Sequence, residues 1–184
     1  MTIGNWWCRR RRRARFERRV AAGEELPVIV SEGDSWFQFP FIIEDVIDHL
    51  SRYYLVWSYG AAADTAENII FDNPEYMEAL DEQTDRVTGF LLSAAGNDVI
   101  GEDESGKPVL SRLLHKRGGG RDTTYELVNK AALTRVTDKL RDAYLKVIAT
   151  VRADARFDTL PILMHGHDYA LPHPVGRADP RNPF

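Results

Sequence analysis

The chain is short of the residues that mark several common protein classes. Cysteine occurs once, at Cys8, which excludes an internal disulfide and any cysteine-based zinc cluster. No stretch approaches the ~18 consecutive apolar residues of a membrane helix, so a spanning protein is excluded. The basic N-terminus is not followed by an apolar run, so no secretory signal is expected and the expected compartment is the cytoplasm. A phosphate-binding glycine loop is also missing, because Gly118-Gly119-Gly120 lacks the following Lys-Ser/Thr. Internal repeats are absent, and the one low-complexity stretch is a run of arginines.

What remains is the composition of one globular domain: 184 residues, 43% hydrophobic and 28% charged. The net charge of −4 conceals an asymmetry. Residues 1–23 carry eight arginines (Arg9 to Arg13, Arg15, Arg18, Arg19) against Glu17, a local charge of +7, and the rest of the chain carries −11. The expected organisation is a basic N-terminal arm over 1–23 and a domain over 24–184. Such an arm suits weak nucleic-acid contact through Arg9–Arg19. It equally suits a solvated, partly helical segment lying on the acidic body, with Trp6 and Trp7 docking the terminus.

From Leu26 onward, short apolar runs alternate with longer amphipathic ones, the pattern of a parallel α/β domain. Strands are expected at Leu26–Val30, Tyr54–Trp57, Val87–Ala94 and Leu160–Met164. Helices are expected over Phe41–Leu50 behind Pro40, with Phe41, Ile42, Val46, His49 and Leu50 near one face, and from Asn73-Pro74 to Gln83. A long helix follows the capping-box pair Thr123 and Glu126, carrying Leu133, Val136, Leu140, Tyr144, Val147 and Val151 at helical spacing. Residues 101–122 read as a polar, mobile excursion. The right-handed crossover rule makes this a three-layer α/β/α domain, flavodoxin-like, with strand order 2-1-3-4.

In such sheets, ligands sit outside the carboxyl edge. The loops there begin Gly33-Asp34-Ser35, Ser58-Tyr59-Gly60, Ala95-Gly96-Asn97-Asp98 and His165-Gly166-His167-Asp168. Ser35 is a candidate nucleophile, although Gly33-Asp34-Ser35 also reads as a simple turn with Asp34 or Ser35 capping it. Gly60 offers an unobstructed N–H and Asn97 a side-chain amide.

Together the first three loops resemble the SGNH hydrolase family, the GDSL-type esterases, over about residues 26 to 170. The resemblance implies Ser35 as nucleophile, with its own N–H, the Gly60 N–H and the Asn97 amide as oxyanion donors. It implies no cofactor and no metal, and an ester substrate of a small molecule, lipid or carbohydrate. Trp36, Phe37 and Phe39 replace smaller residues after the serine, and Ala95 stands where glycine is usual. The family's general base lies in an Asp-x-x-His motif, and none of His49, His115, His165, His167 and His173 has Asp three residues earlier. The Pro-rich end reads as an interrupted linker, so a fifth strand and the catalytic Asp and His are expected downstream. The fourth strand's outer edge is then open to self-association.

His165 and His167 face the same side of an extended segment. They are candidate substitutes for the base, or metal ligands with Asp168, or one buried and one solvated histidine. Tyr169 and Pro172 suggest a pocket rim, as does Trp36. Two further readings stand beside the esterase. One is a non-catalytic binding module with Ser35 idle. The other is a metal-dependent phosphoesterase, whose Asp-x-His, Gly-Asn-His and second Asp are not matched.

Overall fold

The computed structural model describes residues 2–39, 44–72, 74–103, 105–116 and 123–165. Four strands, β1 (Val28–Gly33), β2 (Leu55–Ser58), β3 (Val87–Ser93) and β4 (Ile162–His165), form one all-parallel sheet in the order β2-β1-β3-β4. The helices are α1 (Ile3–Ala21), α2 (Val46–Leu50), α3 (Glu75–Glu82), α4 (Gly96–Ile100), α5 (Leu110–Leu113), α6 (Thr124–Leu127) and α7 (Lys130–Ala153), with a π-helical stretch at Asn68–Asp72. The architecture is the expected three-layer, flavodoxin-like α/β/α sandwich.

Alternation along the strands divides the core in two. One face carries Val30, Trp57, Phe90 and Leu92 against Tyr76 and Leu80 of α3 and Val147 and Val151 of α7. The other packs Val56 and Leu91 against Phe37 and Ile47 of α2.

The basic segment is a continuous 19-residue helix capped by Thr2, whose side chain accepts the Asn5 N–H. It is an integral layer of the domain: Phe16 enters the larger core and meets Trp57 at 4.9 Å between ring centroids. Arg19 donates to the carbonyls of Ser51 (2.6 Å) and Tyr54 (3.0 Å), just before β2. Arg9 Nε donates to the Gly60 carbonyl (3.1 Å), just after it. α1 therefore runs antiparallel to β2 and flanks this edge strand. Trp6 and Trp7 both stand half-exposed on α1, Trp6 bordering a cleft that it shares with Tyr59, Glu75 and Glu78.

Several local expectations are corrected. The helix expected over Phe41–Leu50 is described only as α2. Its cap is Asp45 in a capping box with Asp48, which replaces Pro40 as the start signal. His49 points outward beside Glu44 (3.8 Å) rather than into the core. The Thr123–Glu126 capping box forms (N–H to carboxylate, 2.9 Å), but it opens only the four-residue α6. The long helix α7 restarts behind Asn129, whose side chain accepts the Ala132 N–H. Within the expected excursion, Val109 and Leu113 of the α5 region build a small core with Ala132. Pro40, Asn73, Gly118-Gly119-Gly120, His167, Asp168, Tyr169, Pro172 and His173 lie outside the described residues. No helix among the described residues is long and apolar enough to cross a membrane.

Candidate active site at the carboxyl edge of the sheet

Parallel register brings the expected loops to one edge. Gly33, the last residue of β1, pairs with Ser93, which pairs with His165. On the other side Ser31 pairs with Ser58. Because β1 lies between β2 and β3, the loops that follow those strands flank the Gly33-Asp34-Ser35 turn.

That turn is tightly made. The Asp34 N–H donates to the Ser93 carbonyl (3.1 Å), and the Asp34 carbonyl accepts the N–H groups of Phe37 and Gln38 (3.0 Å each). Asp34 Oδ1 accepts the Trp36 N–H and the Ser93 hydroxyl, both at 3.1 Å. Asp34 is thus the residue that closes the turn and ties it to β3, while Ser35 sits half-buried at its apex. Phe37 points into the core, and Trp36 and Phe39 are exposed beside the turn. Gly33 has no room for a side chain: a Cβ there would lie 2.8 Å from the Ser93 carbonyl oxygen and 2.9 Å from Phe37 Cδ2.

Gly60 lies against the same turn. A Cβ on it would lie 3.2 Å from the Gly33 oxygen and 3.4 Å from Phe37 Cβ. Its neighbours are both bonded to β1, Tyr59 N–H to Ser31 O (2.8 Å) and Ala61 N–H to Gly33 O (2.7 Å). The N–H groups of Gly60 and Ser35 have no hydrogen-bond partner among the described residues. Buried backbone donors are nearly always paired, so the N–H of the buried Gly60 is a feature to explain.

Asn97 is the second residue of α4, behind the cap residue Ala95, whose φ of 91° lies in the left-handed region that glycine favours. The Asn97 amide nitrogen donates to the Asp64 carbonyl at 2.6 Å, tying the third loop to the second. An amide carries two hydrogens, so this bond leaves one for another acceptor. Tyr144 of α7 braces the strand just before, its hydroxyl donating to the Ala94 carbonyl (2.8 Å) and accepting the Ala94 N–H (3.2 Å).

The sequence reading missed how much of this edge is held by α1. Asn5, buried, accepts the Ala62 N–H (2.9 Å) and the Gln38 amide (3.2 Å) on Oδ1, and donates to the Ala62 carbonyl (3.1 Å). Arg12, also buried, donates to the Phe37 carbonyl, to Asp45 (2.5 Å) and to Asp48 (3.0 Å). Arg9 adds an ion pair with Glu75 (2.7 Å) to its bond with Gly60. One helix therefore clamps both the Ser35 turn and the Gly60 loop. The signal was present as Asn5, Arg9 and Arg12 at steps of four and three, the spacing of one helical face.

Carboxyl groups beneath and beside the turn are disfavoured as anions. Glu32 is fully buried; its Oε1 accepts the Gly33 N–H (3.0 Å), and burial pushes its pKa up to about 8. Burial also raises Asp98, which accepts the Ala66 N–H (2.8 Å), and Asp64, which accepts those of Thr65 and the Asn68 amide. A cleft of about 500 Å³ opens on the Asn97 side, lined by Thr65, Asn97, Asp98, Glu102, Val136 and Lys139 among others, whereas Ser35 and Gly60 do not line it.

No protein-family model matches the chain, and no curated protein matches it. The site therefore rests on its own geometry. The backbone of His165 occupies the register position beside Ser93, two strands from Gly33, or about 10 Å at the usual strand spacing. Among the described residues no three His, Cys, Asp or Glu side chains are grouped to hold a metal ion.

Proposed function

We propose that the protein is a serine hydrolase acting on esters, of the SGNH type suggested by its three loops. Ser35 is the nucleophile, and its N–H, the Gly60 N–H and the free hydrogen of the Asn97 amide are the oxyanion donors. The observation that carries this reading is the pair of unbonded N–H groups at Ser35 and Gly60, on adjoining loops at the carboxyl edge. Donors without a partner among the described residues, and fixed by surrounding bonds, suit the stabilisation of a tetrahedral oxyanion. The strained Ala95 and the Asn97–Asp64 bond add a third fixed donor group.

A serine hydroxyl needs a base to take its proton. The Ser35 side chain has no hydrogen-bond partner among the described residues, which favours a second reading, a non-catalytic module in which the same turn binds a ligand. His165, whose backbone ends β4 beside Ser93, and His167, which lies outside the described residues, are the candidates that the sequence offers for that base. The deciding experiment is p-nitrophenyl acetate turnover by the chain and by Ser35→Ala, Asn97→Ala, His165→Ala and His167→Ala. Turnover lost in Ser35→Ala and in one histidine variant supports the esterase and names its base. Turnover that Ser35→Ala leaves unchanged supports the binding module.

A further inference from the structure

Seven of the eight arginines of α1 divide into two sets, with the half-buried Arg15 in neither. Arg9, Arg12, Arg13 and Arg19 turn inward and bind the protein, Arg13 reaching the Tyr59 hydroxyl (2.7 Å) and lying over the Trp57 ring. Arg10, Arg11 and Arg18 lie on the exposed side. A rotation of ~100° per residue puts them on one side of the helix with Ile3, Trp6 and Trp7. Those three apolar side chains are 80%, 46% and 53% exposed within five residues of chain, a concentration of bare hydrophobic surface. Arg11 has a distant acidic neighbour in Asp48 (3.9 Å), and Glu17 is the acid carried by this side of α1.

We propose that this outer face of α1 docks the protein on an anionic lipid bilayer. Tryptophan is favoured at the headgroup level, where its ring is apolar and its N–H is wet. Arginines beside it meet lipid phosphates, each adding affinity near a charged membrane. The inward arginines hold the helix rigidly to the sheet, so the face is presented without an ordering cost. Single-stranded nucleic acid fits less well. Trp6 and Trp7 meet edge-to-face at 5.3 Å and 82°, and the Arg10 guanidinium covers Trp6 at 5.3 Å, so they offer no parallel platform for successive bases. The exposed Ile3 has no counterpart in a phosphate backbone.

The test is co-sedimentation with phosphatidylcholine vesicles, with and without about one third phosphatidylglycerol, read together with the tryptophan emission maximum. Two double variants are compared, Trp6→Ala/Trp7→Ala and Arg10→Glu/Arg18→Glu. All four positions are exposed, and circular dichroism checks that the fold is kept. The expected result is binding to the anionic vesicles only, with a blue-shifted emission. Partitioning should fall about fivefold for each arginine removed, and further for a reversal. It should fall tenfold or more when both indoles are removed. No binding to anionic vesicles, or binding that either folded double variant retains unchanged, overturns the proposal. So does tighter binding to a single-stranded oligonucleotide that both variants abolish, which would assign the face to nucleic acid. None of these outcomes depends on the esterase reading.

Discussion

Asn5 Oδ1 accepts the backbone N–H of Ala62 at 2.9 Å, although the two residues are 57 positions apart in the sequence. The same oxygen accepts the Gln38 amide, so a single side chain on α1 joins the loops that follow β1 and β2. Asn5→Ala removes the acceptor and leaves the Ala62 N–H unpaired, while the Gln38 amide keeps its bond to the Asn5 backbone carbonyl (3.1 Å). The expected loss is about 1–3 kcal/mol for a buried group left unsatisfied, read as a lower urea midpoint. Amide exchange at Ala62 should speed up by more than that of the β3 amides.

Arg12→Met should cost more. Asp45 has 2% of its side chain exposed and bonds to Arg12 at 2.5 Å, so removing the guanidinium strands a buried carboxylate. Breaking such a pair from one side costs about 3–5 kcal/mol. Denaturant unfolding of the variant at neutral pH measures it, and adding Asp45→Asn should restore part of the loss.

The interior of the sheet and its carboxyl edge were legible in the sequence, because strands of five or so apolar residues and Gly-rich loops are local signals. The strand order and the four strand cores follow from them. α1 was not legible to the same depth. A run of five arginines has a negligible apolar pattern, and its burial depends on partners such as Asp45, Asp48 and Glu75, which no local window contains. The capping box at Thr123 was read correctly as chemistry and wrongly as the start of α7. Asn129 supplies a second cap six residues later, and a four-residue helix leaves almost no periodicity to see.

Ala95→Gly should stabilise the protein. With φ at 91°, Ala95 bears the steric cost that an L side chain meets in the left-handed region. Glycine removes it, and the expected gain is about 1 kcal/mol, reduced by the greater entropy of glycine in the unfolded chain. A rise in thermal midpoint with unchanged far-UV circular dichroism would agree; a fall would show that the alanine methyl contributes packing that outweighs the strain.

Glu32 sets a pH dependence of stability. Burial raises its folded-state pKa from 4.5 to about 8, so the native chain holds a proton that the unfolded chain releases. Stability from this group is therefore complete below pH 4.5, declines as pH rises from there to about 8, and is level above. The slope in that window approaches about 1.4 kcal/mol per pH unit. Glu32→Gln should remove it, which parallel urea titrations of both proteins at pH 5 and pH 8 would detect as convergence of the variant's two midpoints.

Gly33→Ala should be destabilising by about 1–3 kcal/mol, since the added methyl meets the Ser93 carbonyl at 2.8 Å and must displace backbone. Gly60→Ala meets its nearest atom at 3.2 Å and should be milder in stability. Comparing the two by urea unfolding tests that order.

The position of α1 bears on how this protein should be handled. Its first residues look like a dispensable basic tail, the kind routinely trimmed before crystallisation or replaced by an affinity tag. Trimming at Gly23 would take Phe16 out of the core and strip the guanidinium groups from the carbonyls of Ser51, Tyr54, Phe37 and Gly60. It would also bare the flank of β2, an edge strand then free to recruit other chains. A shortened form that precipitates would be reporting a lost wall of the domain.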